Sequence, residues 1–570
     1  HKLKWFNAVS AIINSSDLST VKNLKFVDKI EKVKKLKSIT PIKNNANQSV
    51  NLNKINASDV YDYGPSLTQY QLSDIPQVHD LGFTGEGITI GILDSGFEWK
   101  KLTSLKDRNV IAEHDFIYND NVTANDSKDT TENNFTQHNH GTAVFSILAG
   151  FDQGNLVGPA FNSNFILAKT EYIPSETHAE EDNYAAALEW MDSIGVDITT
   201  SSLGYSEFDA TDFSYTYADM NGSTTIVTKA AEFAFERGIV VITSAGNEGN
   251  NSWYYITAPG DGFNTLTIGA VTSTNLLASF SSHGPTFDGR IKPEVVAMGS
   301  NVMHATTGKS PYSFGSGTSY SAPIVAGITG LLMSAHPHLT NKQVRSIIMN
   351  SGDNLANPNN DVGYGLVSAL KAIEYPNLET VAGITYVRKI FSNSANINEN
   401  TIEIVTESGT KLPMTKIDNL YFRVELPVGV NEQNNRIYFT YKDLQNNEVR
   451  EPSREFYNLY IDQSLVSVDE KNTGNEIPTS FILSQNYPNP FNPSTTIKFA
   501  IPQLTNNNSA SVQLKVYDIL GSEITTLVNE TKSAGNYSVE FNANNLPSGI
   551  YFYQLRAGDF SQTKKMTVLK

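Results

Sequence analysis

The stretch Ile88-Thr-Ile-Gly-Ile-Leu-Asp94-Ser-Gly96 is a β-branched, largely apolar run that ends in a carboxylate and a glycine turn. This pattern predicts a buried strand. A carboxylate at the carboxyl end of such a strand lies where open α/β sheets place their sites. Taken alone, Asp94 is better explained as an ordinary acidic turn residue. Whether Asp94 belongs to a functional site therefore depends on the motifs in the rest of the chain.

Around this strand, from residue 85 to about residue 372, apolar β-rich runs alternate with helical stretches. Strands separated by helices pair in parallel and have both faces covered. We therefore expect an α/β fold here, with a doubly wound, mostly parallel sheet. The chain then changes character, because residues 376–462 and 479–570 contain short alternating strands split by Asn, Gly and Pro. That pattern is typical of all-β sandwiches.

The composition limits the classes of function. A chain of 570 residues is too long for one hydrophobic core, so we expect several domains. Its net charge of −17 repels phosphate backbones, which argues against a nucleic-acid partner. The absence of cysteine excludes disulfides, thiolate nucleophiles and cysteine-bound metals. The apolar runs are too short for a membrane span.

Two further motifs each open a predicted helix. His138-Asn-His140-Gly-Thr142 precedes an apolar helix, and Gly315-Ser-Gly-Thr-Ser319-Tyr-Ser-Ala-Pro323 precedes another. Taken singly, His140 is a surface histidine near a helix start, and Ser319 is either a nucleophile or a helix cap. Together with Asp94 they supply the hydroxyl, imidazole and carboxylate of a recurrent solution for acyl transfer. Chance does not easily bring all three together.

A fourth element follows another predicted strand. Ile239-Val-Val-Ile-Thr-Ser-Ala-Gly-Asn247-Glu-Gly249 ends in an asparagine whose amide could donate to a developing oxyanion. The alternative is a plain Asn-Glu-Gly turn.

At these four motifs the sequence resembles the subtilisin-like serine protease family, over about residues 63–372. The resemblance implies that Ser319 is the nucleophile, His140 the general base and acid, Asp94 its orienting partner and Asn247 the oxyanion donor. His138 matches no catalytic position. The segment Ser202, Leu203 and Gly204 resembles the family's substrate-pairing edge, and Ser244, Ala245 and Gly246 resemble a wall of its specificity pocket. Ala258-Pro-Gly260 resembles the floor of that pocket.

The resemblance also bears on the N-terminal segment and on metals. Residues 1–45, which are rich in lysine, resemble the second half of the family's inhibitory propeptide. The family requires no cofactor for its chemistry but often binds structural calcium. The loop that holds Asp120, Asp126, Asp129 and Glu132 offers oxygen ligands. Its spacing fits no EF-hand, and a solvated acidic loop explains it better, so we leave the metal unassigned.

The last β module contains three motifs that resemble a second protein family. Asn486-Tyr-Pro-Asn-Pro-Phe-Asn-Pro-Ser-Thr495, Val516-Tyr-Asp-Ile-Leu-Gly521 and Leu546-Pro-Ser-Gly-Ile-Tyr551 resemble the C-terminal sorting domain of the bacterial type IX secretion system. The resemblance implies delivery to the cell surface or the medium by that machinery. A generic immunoglobulin-like module is the alternative.

These observations divide the chain into six segments. We predict a propeptide remnant at 1–45, a linker at 46–66, a subtilisin-like catalytic domain at 67–375, a β-sandwich spacer at 376–462, a linker at 463–478 and a sorting β-sandwich at 479–570.

The function that we predict is that of a secreted serine endopeptidase, which acts on protein or peptide substrates through an acyl-enzyme at Ser319. The alternative is an extracellular structural or assembly protein, such as a filament or surface-layer component, built on the same fold. In that case self-assembly is expected. A third hypothesis, a carbohydrate- or surface-binding module at 376–462, rests on fold analogy alone.

Overall fold

The computed structural model describes most of the chain as two compact units, residues 1–461 and 462–570. The described residues of the first unit are 2–3, 5, 8–9, 21–22, 59–125, 137–173, 178–206, 214–381, 384–431 and 434–461. Those of the second unit are 481–483, 486, 491, 493–502, 509–518, 522–544, 546–547, 549–558 and 560–568. Much of the predicted propeptide remnant and both predicted linkers, apart from residues 59–66, lie outside these ranges.

The first unit is built around a seven-stranded sheet in which every neighbouring pair is parallel. Its strands, in chain order, are β3 (Thr89–Asp94), β4 (Asn109–Asp115), β7 (Asn164–Lys169), β8 (Ile198–Ser201), β9 (Val240–Ser244), β10 (Leu266–Val271) and β11 (Val295–Met298). Across the sheet they run β11, β10, β9, β8, β3, β7, β4. The order reverses at β3, so the carboxyl end of β3 lies at a topological switch point.

Helices cover both faces of this sheet. The helices of the first unit are α1 (Leu67–Gln71), α2 (Ile75–Asp80), α3 (Asn139–Ala149), α4 (Ala179–Ile194), α5 (Ile226–Glu236), α6 (Thr318–Ala335), α7 (Asn341–Asn350) and α8 (Ala369–Glu374). Short 3-10 turns stand at Gly64–Ser66, Tyr217–Asp219 and Ser394–Asn396. Two-stranded ribbons lie at β1 (Lys2–Leu3) with β2 (Ala8–Val9), β5 (Phe151–Asp152) with β6 (Leu156–Val157), and β12 (Val302–Ala305) with β13 (Tyr312–Gly315).

Two apolar cores lie on opposite faces of the sheet because successive strand residues point in opposite directions. Ile90 and Ile92 join the core beneath α3 and α6, whereas Leu93 joins the core beneath α4 and α5. All of these side chains are completely buried. Both faces are covered, which explains why the strands are continuous apolar runs rather than alternating ones.

The N-terminal segment contacts the same helices through Trp5. Its backbone N–H donates to Glu189 on α4 at 2.8 Å, and its ring lies edge-on to Phe233 on α5. The guanidinium of Arg237 stacks over the ring at 4.4 Å. The ends of α4 and α5 therefore hold this part of the N-terminal segment.

The region that follows α8 forms two antiparallel sheets within the first unit. Their strands are β14 (Asn377–Val381), β15 (Ile384–Ile390), β16 (Ile397–Thr406), β17 (Lys411–Pro413), β18 (Thr415–Lys416), β19 (Tyr421–Glu425), β20 (Arg436–Asp443), β21 (Glu448–Glu451) and β22 (Tyr457–Asn458). Phe391 packs edge-on against Phe422 of one sheet and Phe439 of the other. The two sheets therefore share an aromatic core.

A buried lysine joins these sheets to the helical body. Lys389 is completely buried, lies 2.8 Å from a carboxylate oxygen of Glu451 and donates to the carbonyl oxygen of Glu374 at the end of α8. Its ammonium also lies 4.8 Å from the centre of the Phe391 ring. A second link is the Tyr421 hydroxyl, which donates to the carbonyl of Ala335 at the end of α6.

The second unit is all β. It has a three-stranded and a four-stranded antiparallel sheet, with strands β23 (Ile482–Leu483), β24 (Ser494–Ile501), β25 (Ser509–Tyr517), β26 (Glu523–Ser533), β27 (Gly535–Asn542), β28 (Gly549–Ala557) and β29 (Phe560–Val568). Side chains from both sheets, such as Ile497 and Leu555, are fully buried in one core.

The predicted fold class, an α/β domain with a mostly parallel sheet followed by all-β modules, is confirmed. The six domain boundaries stay predictions. In the described part of the chain, none of the helices combines the length and the apolar composition that crossing a membrane requires.

A buried ion pair at the end of the sheet gives a stability prediction. Lys169 of β7 and Asp115 of β4 are both buried, and their charged atoms lie 2.9 Å apart. Lys169→Met leaves the Asp115 charge buried without its counter-ion, so the free energy of unfolding should fall by about 3–5 kcal/mol.

Urea unfolding followed by tryptophan fluorescence measures this loss. The matched control is the double variant Lys169→Met/Asp115→Asn, which removes both charges and should recover much of the stability. A double variant no more stable than Lys169→Met would contradict the explanation.

Candidate active site

The carboxyl ends of the parallel strands bring several polar residues to one edge of the sheet. Asp94 is the last residue of β3, Glu171 follows β7 by two residues, Ser202 follows β8, and Ala245 follows β9. Because β3 lies between β7 and β8, this group surrounds the switch point.

Asp94 is fully buried, and three donors converge on one of its oxygens. Its Oδ1 accepts the backbone N–H of Ser95 at 2.7 Å, the Ser95 hydroxyl at 3.1 Å and Nδ1 of His140 at 2.8 Å. A buried carboxylate is stable only when such bonds replace its hydration. The three donors fix the carboxylate, which in turn orients the imidazole.

His140 can reach Asp94 because the next residue has no side chain. His140 is the second residue of α3, and a Cβ on Gly141 would lie 2.3 Å from the carbonyl oxygen of Gly96 and 2.9 Å from Cβ of Asp94. Any other residue would push the start of α3 away from β3. Glycine at 141 is therefore required for the pair.

The second nitrogen of His140 is available. Its Nε2 is buried and has no hydrogen-bond partner among the described residues. Burial by itself lowers the pKa of His140, but the charge and hydrogen bond of Asp94 and the charge of Glu171 outweigh it and raise that pKa above its ordinary value. An imidazole held in this way can accept a proton at Nε2.

Ser319 is the second residue of α6 and is almost completely buried. Its hydroxyl donates to the carbonyl oxygen of Ser202 at 3.3 Å, and the Ser202 hydroxyl donates back to the carbonyl oxygen of Ser319 at 2.9 Å. The next residue, Tyr320, brings its ring centre to 6.4 Å from that of His140. No hydrogen bond joins the Ser319 hydroxyl to Nε2 of His140, and such bonds are often long without substrate.

Thr318 fixes the orientation of the Asn247 amide. Oδ1 of Asn247 accepts the backbone N–H of Thr318 at 2.9 Å and its hydroxyl at 3.0 Å. A backbone N–H can only donate, so the oxygen must lie on this side and the NH₂ group on the other. That Nδ2 is buried and has no partner in the described part of the chain. Asn247, which contacts Thr318 beside Ser319, therefore has one unpaired donor, its Nδ2.

The predicted substrate-binding segments contact each other. The Ser244 hydroxyl lies 3.5 Å from the carbonyl oxygen of Leu203, and Tyr205, next to Gly204, pairs through its backbone with Ala258. Gly246 has a φ of +105°, and a Cβ there would lie 2.8 Å from the Ser282 hydroxyl. Ala245 is fully buried, and its N–H donates to β10.

Sequence reasoning missed two residues of this site, Glu171 and Tyr205. The Glu171 side chain is buried, and its Oε1 accepts the Tyr205 hydroxyl at 2.5 Å. Burial and the charge of Asp94 raise the pKa of Glu171 to about 7, despite the opposing bond from Tyr205. The rule that singled out Asp94 also applies to Glu171, because it too follows a predicted strand at its carboxyl end.

Other candidates lie apart from the site. Nδ1 of His138 accepts the backbone N–H of Asn125 at 3.0 Å, so this histidine fixes a loop. Of the four calcium candidates, Asp126, Asp129 and Glu132 lie outside the described residues, and Oδ1 of Asp120 accepts the backbone N–H of Val122 at 2.8 Å. Within the described ranges, no three His, Asp or Glu side chains are grouped as metal ligands.

The fold and this arrangement define an α/β protein of the hydrolase kind, and the comparisons with known proteins agree. Residues 85–365 match the subtilase family. Subtilisin from Bacillus pumilus is 30% identical over 280 residues, which cover 48% of this chain and 88% of that protein. Subtilisin E from Bacillus subtilis is 29% identical over 301 residues, 52% of this chain and 69% of that protein. The chain belongs to the subtilase family.

Residues 485–569 match the secretion system C-terminal sorting domain. The prediction of a type IX sorting tail is confirmed, and the tail marks the chain for secretion and for the cell surface. The chain is thus a subtilase that carries its own export signal.

Proposed function

We propose that the protein is a secreted serine endopeptidase that hydrolyses peptide bonds through an acyl-enzyme at Ser319. The observation that carries the proposal is a pair of buried nitrogens without partners, Nε2 of His140 and Nδ2 of Asn247. Burying such groups unpaired costs about 1–3 kcal/mol each. In a serine protease site both nitrogens have a role, because Nε2 of His140 accepts a proton and Nδ2 of Asn247 donates a hydrogen bond to the oxyanion.

The first half of the reaction forms the acyl-enzyme. The Ser319 oxygen attacks the scissile carbonyl carbon while its proton passes to Nε2 of His140. Asp94, bound at Nδ1, stabilises the imidazolium that results. The developing oxyanion accepts hydrogen bonds from Nδ2 of Asn247 and from the backbone N–H of Ser319, which is free at the start of α6.

The second half releases the products. His140 donates its proton to the leaving amine, and the amine-side peptide departs. His140 then takes a proton from water as the water oxygen attacks the acyl carbon, and it returns that proton to the Ser319 oxygen as the acyl bond breaks and the carboxylic acid departs. In this proposal Ser202, Leu203 and Gly204 pair with the substrate backbone, and Ser244, Ala245 and Gly246 line the specificity pocket.

Labelling with a fluorophosphonate probe tests the proposal, because the probe reacts only with an activated serine. Wild-type protein freed of residues 1–45 should label, and Ser319→Ala should not. If correctly folded wild-type protein does not label, the proposal fails and the structural or assembly protein becomes the better hypothesis.

The two residues should act as one unit in turnover. Ser319→Ala and His140→Ala should each lower kcat by several orders of magnitude, because the hydroxyl is a weak nucleophile without its base. The double variant should be little worse than either single one. Steady-state kinetics on a peptide substrate measures this, and losses that multiply in the double variant would show that the residues act independently.

Asn247 should act on the transition state. Asn247→Ala should cost about 2.7–4 kcal/mol of transition-state stabilisation, the range measured for the corresponding donor in subtilisin. The loss should appear in kcat, with KM nearly unchanged, because the oxyanion exists only after attack. A loss confined to KM would assign Asn247 to ground-state binding instead.

The sorting domain should be separable from the chemistry. Deletion of residues 479–570 removes a module with its own core, so the purified protein should keep its peptidase activity while export fails. Activity assays of the purified protein test whether peptidase activity is retained, and cell fractionation tests whether export fails. A truncated protein that unfolds would place the domain boundary elsewhere than at 463–478.

A further inference from the structure

Glu171 is a buried carboxylate beside the candidate site that the proposed mechanism leaves unused. It lies two residues beyond the end of β7, the strand that neighbours β3, and only 5% of its surface is exposed. A carboxylate in this position costs free energy when ionised, unless bonds and charges around it compensate.

The surrounding residues fix Glu171 at both its backbone and its side chain. Nε2 of Gln137 donates to the carbonyl oxygens of both Glu171 and Ser95, and so ties the end of β7 to the residue after Asp94. The Tyr205 hydroxyl holds Oε1, with the Thr170 hydroxyl at 3.5 Å. Tyr205 is itself held by two backbone bonds to Ala258.

Titratable groups surround His140 from four elements. Asp94 on β3 contacts it directly, and Glu171 after β7 acts on it through space. His304 on β12 stacks on Tyr320 of α6, which lies between the two histidines. Burial lowers the pKa of His304 to about 4, so it is neutral near pH 7. Asp94 and Glu171 are therefore the carboxylates that favour a positive imidazole.

The groups that face Glu171 itself are also identified. Besides Asp94 and His140 they include Tyr205 and, on α4, Tyr184, whereas Glu180 of α4 acts on Tyr205. Tyr184 bonds instead to the Ser201 hydroxyl, 3.4 Å away. Among the neighbours that favour the ionised form of Glu171, the Tyr205 hydroxyl has the largest effect, ahead of the Thr170 hydroxyl and the charge of His140.

We propose that Glu171 is a positioning residue of the active site, a second carboxylate that stabilises the imidazolium of His140 through space, and that Tyr205 keeps it in place. The inference rests on the proposed function. Asp94 supplies orientation as well as charge, whereas Glu171 supplies charge alone, because no hydrogen bond joins it to His140.

The sign of the pH effect follows from this arrangement. Since the pKa of Glu171 is about 7, the carboxylate is mostly ionised above that pH and mostly protonated below it. The ionised form raises the pKa of His140, and the protonated form does not. Removing the charge should therefore lower the pKa of His140 and extend the neutral, proton-accepting imidazole to lower pH. The two groups titrate as a coupled pair.

NMR titration of ¹⁵N-labelled histidine in the Ser319→Ala protein tests the electrostatic step without turnover. The His140 signal is the one of the 10 histidines that disappears in His140→Gln. Its pKa should fall in Glu171→Gln and fall less in Tyr205→Phe, because loss of the tyrosine bond only weakens the ionised form. Tyr184→Phe, the matched control, should leave it unchanged.

Kinetics of the active protein tests the consequence. In Glu171→Gln the acid limb of the kcat/KM profile should move to lower pH, and kcat on the alkaline plateau should fall less than about a hundredfold, the low end for loss of a general base. KM for uncharged peptide substrates should stay unchanged. Circular dichroism in the near ultraviolet checks that each variant is folded.

Two outcomes overturn the inference. One is a His140 pKa that is the same with and without the Glu171 charge. The other is an unchanged acid limb with a raised KM only for substrates that carry Lys or Arg, which would make Glu171 a substrate-binding group. Failure of the wild-type protein to label at Ser319 would instead refute the proposed function, and the titration distinguishes these cases.

Discussion

The burial of one negative charge constrains the whole site. Asp94 ends an interior strand of a sheet covered on both faces, so water cannot solvate its carboxylate, and three donors take the place of water at Oδ1. One of these donors is His140 on α3, and α3 can pack this close to β3 only because residue 141 is glycine. The position of α3 and the orientation of the imidazole both follow from this requirement.

Hydrogen bonds also fix the residues on the serine side of the site. Thr318 is the first residue of α6, and its backbone and hydroxyl fix the Asn247 amide, while Ser319 and Ser202 exchange two hydrogen bonds. Among the described residues, Nε2 of His140, Nδ2 of Asn247 and Oδ2 of Asp94 remain buried without a hydrogen-bond partner. Unpaired polar groups of this kind cost stability and are retained where function uses them.

Sequence reasoning predicted the fold class, because parallel strands buried on both faces leave long apolar runs at regular intervals, as at β3 and β9. It also selected Asp94, His140, Ser319 and Asn247 from short motifs with glycines around them. It missed Glu171, although this residue also follows a predicted strand, because only the strand order places β7 beside β3. It missed Tyr205 because the contact with Glu171 depends on a loop after β8 that is distant in the chain. The calcium candidates at 126–132 fall outside the described residues, so the metal stays unassigned.

The buried Lys389 has a consequence for survival outside the cell. Its ammonium pairs with Glu451 of the same β region and donates to the Glu374 carbonyl at the end of α8, so pulling the β region away would leave that carbonyl without its donor and expose the ion pair. Partial opening at this junction is therefore costly, and regions that open seldom offer few cleavable segments. A protein delivered to the cell surface thus gains resistance to proteolytic cleavage from a contact that takes no part in the candidate site.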